Sequence, residues 1–259
     1  MPEGHTVHRA AAEQQRLFGG QALQITSPQG RFAGAAEVNG RQLQRVEAYG
    51  KHSFAWFDND LLVHVHLGLF GKWWVHEGVD HPAPRAASRM RWVGETAALD
   101  LTGPTACIVG TDELYRSIVK RLGPDPLRKD ADLQRFVDRV SKSRTTIGQL
   151  LMDQSVVAGI GNVYRAEALF VHGIWPEHPG QTIDPPVLAD LWSTLVTMLK
   201  AGVKAGRIVT VAPAERRLMT ERDKNTYVYK RDDCLRCGTP VRRWAMAGRW
   251  CYACPTCQS

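Results

Sequence analysis

The chain of 259 residues has no apolar run long enough to cross a membrane. A spanning helix needs about 20 consecutive apolar residues, and runs such as residues 61–63 end at polar residues well before that length. The first residues also lack the apolar stretch of a signal peptide. No internal repeat or low-complexity tract is present. These absences exclude an integral membrane protein and a repeat array, and they favour a cytoplasmic globular protein.

Cysteine is scarce until the chain nears its end. Only Cys107 lies among the first 233 residues, within an apolar stretch, and we interpret it as a small buried hydrophobic residue. Near the C-terminus, Cys234, Cys237, Cys254 and Cys257 form two Cys-x-x-Cys pairs that are separated by sixteen residues. This spacing is typical of a zinc ribbon, in which a β-hairpin brings four thiolates around one tetrahedral Zn²⁺.

Two alternatives concern these cysteines. Cys251 also lies three residues before Cys254, but Pro255 suits a turn after Cys254, and Cys251 falls in an alternating, strand-like run. Two disulfides in a secreted protein would give the same count, although the missing signal peptide disfavours them. Four thiolates leave no coordination position open, so the zinc would be structural.

The net charge of +7 is concentrated in the last 59 residues, which hold 12 Lys and Arg against 5 Asp and Glu. Such an excess is expected of a surface that neutralises phosphates, and the alternative is a solvated charged face. The basic residues beside the cysteines are Arg216, Arg217, Arg222, Lys224, Lys230, Arg231, Arg236, Arg242, Arg243 and Arg249.

The periodicity of apolar residues changes along the chain. Residues 6–18 predict a helix with Thr6 as its N-cap and a stop at residues 19–20, which are both glycine. Residues 22–110 alternate in short runs without helices between them, which predicts an antiparallel sandwich or barrel. Its clearest hairpin joins residues 53–57 to residues 61–66. His64 and His66 share a face of that second strand, and we interpret them as structural rather than as metal ligands.

The second half has apolar residues at helical spacing. The predicted helices cover residues 130–140, 145–154, 162–172 and 186–204. Together the patterns predict an α+β protein.

The chain opens with Met1, Pro2 and Glu3. Removal of the methionine would leave Pro2 with a free secondary amine, whose pKa would resemble the roughly 8 of an α-amino group. Such an amine can attack an electrophilic carbon and form a Schiff base, and Glu3 could serve as general acid or base. Many chains begin this way by chance, so the opening acquires meaning only with other motifs.

Five ordered segments supply those motifs, and with them the chain resembles the formamidopyrimidine-DNA glycosylase and endonuclease VIII family. The segments are MPEG (1–4), GKH (50–52), LGPDPL (122–127), LMDQSVVAGIGNVY (151–164) and the C-terminal cysteine pairs with GR (248–249) and CPTCQ (254–258). The resemblance extends from end to end.

The resemblance implies an N-terminal antiparallel β-sandwich with its leading helix, then a helix-two-turn-helix domain and a zinc ribbon, with a DNA-binding cleft between the two main domains. The implied divisions are residues 1–120, residues 121–205, and residues 206–259 for a basic connector with the ribbon. The implied partner is damaged double-stranded DNA, and we expect a monomer.

The same resemblance implies a base-excision repair enzyme. Pro2 would attack C1′ of a damaged nucleotide, Glu3 would protonate the sugar-ring oxygen, and Lys51 would hold a phosphate and assist β,δ-elimination. Asn162 at a helix start would bind phosphate, although it could instead only cap that helix. Arg249 matches the family's phosphate-binding arginine.

Two departures favour the endonuclease VIII branch, which acts on oxidised pyrimidines. The family's 8-oxoguanine enzymes have a Pro-Glu pair where this chain has His5 and Thr6, so a second carboxylate is missing. Leu69 and Phe70 are candidates for the residues that fill the space left by a flipped nucleotide, although Gly68 replaces a polar residue before them. The alternatives are an 8-oxoguanine glycosylase and a DNA-binding protein without catalysis.

Overall fold

The computed structural model describes residues 2–216 and 225–259. The chain divides into two compact units, Met1–Arg121 and Leu122–Ser259. No helix in these described ranges combines the length and apolarity that a membrane span requires. Three of the predicted basic residues, Arg217, Arg222 and Lys224, lie outside the described residues.

The first unit begins with helix α1 (Gly4–Phe18), which starts two residues earlier than the sequence predicted. Glu3 has extended backbone angles, and its carbonyl accepts a hydrogen bond from Thr6 N at 2.9 Å. Glu3 is therefore the N-cap residue and the prediction of Thr6 was wrong, because the carbonyl of Glu3 already closes the first turn. The predicted stop is confirmed, since the helix is capped by Gly19.

Eight strands follow α1 and form two antiparallel sheets, in the orders β1-β6-β7-β5 and β2-β3-β4-β8. They are β1 (Gln24–Thr26), β2 (Leu43–Tyr49), β3 (His52–Phe57), β4 (Leu62–His66), β5 (Lys72–Glu77), β6 (Ser88–Val93), β7 (Ala97–Thr102) and β8 (Ala106–Gly110). The predicted hairpin is confirmed, because β3 pairs with β4 in antiparallel register.

The two sheets and α1 share one hydrophobic core, which confirms the β-sandwich. Trp92 of one sheet makes edge contacts with Phe18 of α1 (5.8 Å) and with Phe57 of the other sheet (6.3 Å). Two short helices that the sequence did not predict, α2 (Ala35–Val38) and α3 (Asp112–Val119), lie before β2 and after β8.

The second unit begins with helices. They are α4 (Leu133–Ser141), α5 (Ile147–Leu150), α6 (Asn162–Val171), a 3₁₀ turn (Gly180–Thr182), α7 (Pro185–Ala205) and α8 (Pro213–Arg216). The predicted helix over 145–154 is shorter than expected, because polar side chains near its end bind the main chain instead. Asp153 Oδ1 accepts from Ser155 N at 2.8 Å, and the Gln154 amide bonds to Met152 O before it and to Gly159 N and Ile160 O in the following turn.

The unit ends in an antiparallel hairpin of β9 (Arg242–Met246) and β10 (Arg249–Ala253). Its two-residue turn has Ala247 at φ 50° and Gly248 at φ 69°, a geometry that suits the twist of a tight hairpin. Helices, antiparallel sheets and this terminal hairpin together confirm the α+β fold class.

A buried carboxylate fastens the chain before the hairpin to helix α6. Glu167 is fully buried, and it accepts hydrogen bonds from Thr210 Oγ1 (2.6 Å) and from the backbone N–H groups of Tyr227 (2.6 Å), Val228 (2.9 Å) and Tyr229 (2.9 Å). Burial raises the pKa of the Glu167 carboxyl, and these four hydrogen bonds oppose the rise. Each carboxylate oxygen of Glu167 accepts two of these hydrogen bonds, so both side-chain oxygens must act as acceptors.

We predict that Glu167→Gln lowers the free energy of unfolding by about 2 kcal/mol, because the amide NH₂ would face N–H donors that then lose their acceptor. Urea unfolding measures this change. Glu95→Gln, at an exposed position, is the control and should change stability by less than about 0.5 kcal/mol. Equal stability of the two variants would contradict the role assigned to Glu167.

Candidate functional site

The start of α1 presents the N-terminal residues of the predicted site. Pro2 is half-buried and Glu3 is fully buried. Thr6 stands where the family's second carboxylate was expected, and the preceding His5 is also buried, which lowers the pKa of His5 to about 4. His5 is therefore neutral near pH 7, and Glu3 supplies the carboxyl group next to Pro2.

Lys51 lies in the two-residue turn between β2 and β3, where Gly50 has a φ of 58° and Tyr49 pairs with His52. Both strands pack against α1. The turn that carries Lys51 and the helix that follows Glu3 thus belong to one packed unit.

Three histidines form a stack on one face of the β3–β4 hairpin. His52 Nδ1 and His64 Nε2 are 2.9 Å apart, and the ring centroids of His52 and His66 are separated by 4.8 Å. The pKa of His52 falls to about 3 and that of His64 to about 4, chiefly through burial, with a further contribution from the neighbouring histidines. These two rings are neutral at pH 7 and stack on Phe54.

Leu69 and Phe70 form the tip of a tight turn after β4. Gly71 N donates to Leu67 O at 2.9 Å to close this turn, and the Phe70 side chain is 85% exposed. Gly68 has a φ of 64°, and a Cβ atom at this position would lie 1.8 Å from Thr105 Oγ1. Close packing and a left-handed backbone therefore account for the glycine that replaces a polar residue here.

In the second unit, two of the sequence motifs lie against each other. Gly123 N donates to Gln154 O at 2.8 Å, and Ala158 N donates to Pro124 O at 3.0 Å. The Gln154 amide in turn accepts from Gly159 N and donates to Ile160 O, at 3.0 and 2.9 Å. These bonds fix the turn that precedes α6.

Asn162 is the first residue of α6 and does not cap it, because the N-cap residue is Gly161. Its side chain is directed at the C-terminal hairpin, where Nδ2 donates to Trp250 O at 2.9 Å. The fully buried Arg165 donates to the same carbonyl at 3.0 Å and also to Asn162 Oδ1. Arg249 immediately precedes Trp250 and begins β10.

The four predicted zinc ligands lie together. The Sγ atoms of Cys234, Cys237, Cys254 and Cys257 are all within 4.8 Å of one another. Four thiolates at the usual Zn–S distance of about 2.3 Å would be roughly 3.8 Å apart, and the Cys234–Cys257 and Cys237–Cys254 pairs are separated by 4.0 and 3.5 Å. The donor set and its spacing fit a tetrahedral metal ion.

Local contacts support the two cysteine pairs. Gly238 N donates to Cys234 O at 2.9 Å, and Gln258 N donates to Cys254 O at 3.0 Å. In both turns, therefore, the carbonyl of the first cysteine accepts a hydrogen bond from the N–H group four residues later. A hydrogen bond between Cys237 and Thr239 (3.3 Å) lowers the pKa of the Cys237 thiol to about 6, whereas burial raises the pKa of the Cys234 and Cys257 thiols.

Cys251 is outside this cluster. It is fully buried in β10 opposite Trp244, and burial raises the pKa of its thiol. The four terminal cysteines form the only group of three or more possible metal ligands in the described ranges, so the histidine stack is not such a group.

From the sequence, His52 had no predicted role, although it lies in the GKH motif, and no pattern predicted the contact between Arg165 and Trp250. A signal existed for His52, which alternates with Phe54 on a strand that faces His64. Arg165 and Trp250 meet across 85 residues of chain, and nothing in their local sequence indicates that contact.

Two family models match the chain. The formamidopyrimidine-DNA glycosylase N-terminal domain matches residues 1–104, and the formamidopyrimidine-DNA glycosylase H2TH domain matches residues 122–213. The matches therefore fall in both units.

Curated relatives align over the full length. Endonuclease 8 1 of Mycobacterium tuberculosis is 44% identical, with 100% of both chains covered. Probable endonuclease 8 2 of Streptomyces coelicolor is 33% identical over 100% of this chain and 94% of its own. The formamidopyrimidine-DNA glycosylase of Herpetosiphon aurantiacus is 28% identical, over 100% and 99% of the two chains.

Solved structures share the fold. The Lactococcus lactis Fpg protein in complex with abasic-site DNA superposes with a TM-score of 0.80 at 22% identity, over 99% of both chains. A complex of the LlFpg protein with a THF-DNA and an inhibitor gives a TM-score of 0.80 at 23% identity, over 100% of both. Because the two family models together cover most of the sequence and a relative at 44% identity spans all of it, this chain belongs to the formamidopyrimidine-DNA glycosylase and endonuclease VIII family, in its endonuclease VIII-like branch.

Proposed function

We propose that this protein is a bifunctional DNA glycosylase and AP lyase that removes oxidised pyrimidines from damaged double-stranded DNA. It releases the base through a Schiff base on Pro2 and cuts the strand by β,δ-elimination. The protein acts as a cytoplasmic, nucleoid-associated monomer. Its domains are the β-sandwich (1–120), the helix-two-turn-helix domain (121–205) and the connector with the ribbon (206–259).

The arrangement at the start of α1 carries this proposal. A half-buried Pro2 precedes a fully buried Glu3 at the first turn of a helix, in a chain that is 44% identical over its full length to a mycobacterial endonuclease 8. Packing of α1 in the sandwich core holds this amine and this carboxyl at a fixed place.

The proposed reaction uses the amine of Pro2 after removal of Met1. The amine attacks C1′, the bond from C1′ to the base breaks, and the base leaves with its electron pair and takes up a proton. Glu3 then protonates the ring oxygen as the sugar opens, which gives an iminium ion between Pro2 and C1′. Elimination of the 3′ and then the 5′ phosphate cuts the strand, and hydrolysis frees Pro2.

The remaining residues bind the DNA. A base inside a duplex hides its C1′, so the nucleotide must rotate out and something must fill the gap. The exposed Phe70 with Leu69 fits that filling role, and Lys51 binds a phosphate near Pro2. Asn162 uses one amide hydrogen on Trp250 O, and its second hydrogen can donate to a phosphate beside Arg249.

DNA as the partner is supported by the relatives. Lactococcus lactis Fpg was crystallised with abasic-site DNA and with DNA that contains an oxidised pyrimidine. The metal in the cysteine cluster is one structural Zn²⁺, for which Cys234, Cys237, Cys254 and Cys257 are the ligands. It stabilises the hairpin that carries Arg249.

Borohydride trapping on a thymine-glycol or abasic duplex tests the proposed catalysis. Wild-type protein should form a covalent adduct, and Glu3→Gln should slow its formation by about 10²-fold or more because the proton donor is lost. Pro2→Gly retains an amine and should be trapped in part.

Glu13→Gln, the same change within helix α1, is the matched control and should behave as wild type. Absence of an adduct with wild-type protein would indicate a DNA-binding protein without catalysis. Equal trapping by Glu3→Gln and wild type would contradict the role of Glu3.

The lesion preference is a separate prediction. Because the family's second carboxylate is missing near Pro2, the specificity constant (kcat/KM) for dihydrouracil should be at least about tenfold higher than that for 8-oxoguanine opposite cytosine. Gel analysis of cleaved oligonucleotides at several substrate concentrations measures kcat/KM for each substrate. A preference for 8-oxoguanine would instead support the formamidopyrimidine branch of activity.

Metal analysis tests the zinc site. The purified protein should contain about one zinc per chain, and Cys257→Ser should lose most of the metal together with lesion cleavage. Cys251→Ala is the matched control, because its thiol lies outside the cluster, and it should retain the metal. Loss of zinc from Cys251→Ala with retention in Cys257→Ser would show that the ligand set is wrong.

A further inference from the structure

We propose that the C-terminal hairpin has a second nucleic-acid site that binds an unpaired DNA strand. This site is the outer face of the hairpin, defined by the exposed residues Trp250, Ala245 and Arg243 with the buried Tyr252 at its base, together with Lys230 beside it. It goes beyond the proposed catalysis, because none of its side chains takes part in the reaction at Pro2.

The strand register assigns the two faces. Trp250 pairs with Ala245 and Tyr252 pairs with Arg243, so these four side chains share one face. The opposite face packs on α6 and the loop after it: Cys251 is fully buried, and the Trp244 ring stacks on Trp175 of that loop with centroids 5.2 Å apart. On the face of Trp250, the residues Trp250, Ala245 and Arg243 are exposed, whereas Tyr252 is buried at its base against Tyr229.

A concavity of about 440 Å³ lies at the base of the outer face. It is lined by Lys230, Arg231, Asp232, Val241, Arg243 and Tyr252. Three of these side chains are cationic and one is a carboxylate, so the concavity attracts anions such as backbone phosphates.

Lys230 is held in an unusual backbone conformation at this concavity. Its φ is 56°, in the left-handed region that disfavours residues other than glycine and asparagine. The side chain is exposed, and its Nζ lies 5.8 Å from the centroid of the Tyr229 ring. The charge of Lys230 thus adds to those of Arg231 and Arg243 at the concavity.

Trp250 supplies an aromatic platform next to these cations. Its side chain is 57% exposed, while Asn162 and Arg165 hold its carbonyl at 2.9 and 3.0 Å. The indole is therefore open to solvent on a fixed backbone, about 7 Å along the strand from Tyr252.

The pairing of an aromatic platform with cations identifies the class of ligand. A base within a duplex is stacked on its neighbours, so only an unpaired strand can place a base on the indole while its phosphates reach the cations. An acidic protein segment would use the cations and leave the indole without a role.

Fluorescence anisotropy with a labelled oligothymidylate of about 12 nucleotides tests the site on the full-length protein. Trp250→Ala should weaken binding about tenfold and leave the salt dependence unchanged, because stacking is lost. Arg243→Ala should make the slope of log K against log salt shallower by about 0.7, because one phosphate contact is lost. Lys230→Gly should also make this slope shallower, and glycine adopts the left-handed backbone conformation at this position without strain.

Arg242→Ala is the matched control, since it removes the same charge from the neighbouring position on the opposite face. It should weaken binding by less than about twofold. Equal losses from Arg242→Ala and Arg243→Ala, or no loss from Trp250→Ala, would overturn the proposal, as would binding of oligoglutamate in preference to oligothymidylate. Zinc content and the urea midpoint identify any variant that misfolds. If Trp250→Ala misfolds, the salt dependence of Arg243→Ala and Lys230→Gly tests the proposal instead.

Trapping of wild-type protein on a lesion duplex is measured in parallel. Trapping without oligothymidylate binding contradicts the second site alone, and binding without trapping contradicts the proposed catalysis alone.

Discussion

The packing of helix α1 into the sandwich core is the constraint on which the proposed chemistry depends. The helix begins at Gly4, and the carbonyl of Glu3 closes its first turn. A chain terminus is ordinarily mobile because few contacts hold it. Here the buried side chains of Val7 and Ala11 fix the helix within two turns of its start, so a terminal amine at Pro2 would have a defined position relative to a buried carboxyl group.

In the second unit, the C-terminal hairpin is also held in a fixed position, by contacts with α6 and by the cysteine cluster. This hairpin is too small to bury a core of its own, and contacts with α6 and a cluster of four thiols compensate. Asn162 and Arg165 share one carbonyl of β10, and Gln258 Nε2 donates to Ile174 O at 2.8 Å. The C-terminal segment is thus fastened to helix α6 and to the loop that follows it, and the proposed phosphate contacts of Asn162 and Arg249 are fixed together.

Local chemistry was predictable from the sequence, whereas contacts between distant segments were not. The cysteine spacing predicted the cluster because metal ligands must converge, and alternation predicted the β3–β4 hairpin. The start of α1 was misplaced because capping by the Glu3 carbonyl leaves no side-chain signature. Helix α3 was not predicted, since it is only eight residues long. The Asn162–Trp250 contact depends on how the hairpin docks, which no local pattern encodes.

The most direct test of the account is the site of covalent attachment. Protein trapped on lesion DNA by borohydride is digested and the peptide that carries the sugar remnant is sequenced by tandem mass spectrometry. The expected result is a remnant on the nitrogen of Pro2, in a peptide that lacks Met1. A remnant on Lys51 or another lysine, or strand cutting by protein that retains Met1 or an acyl cap, would contradict it.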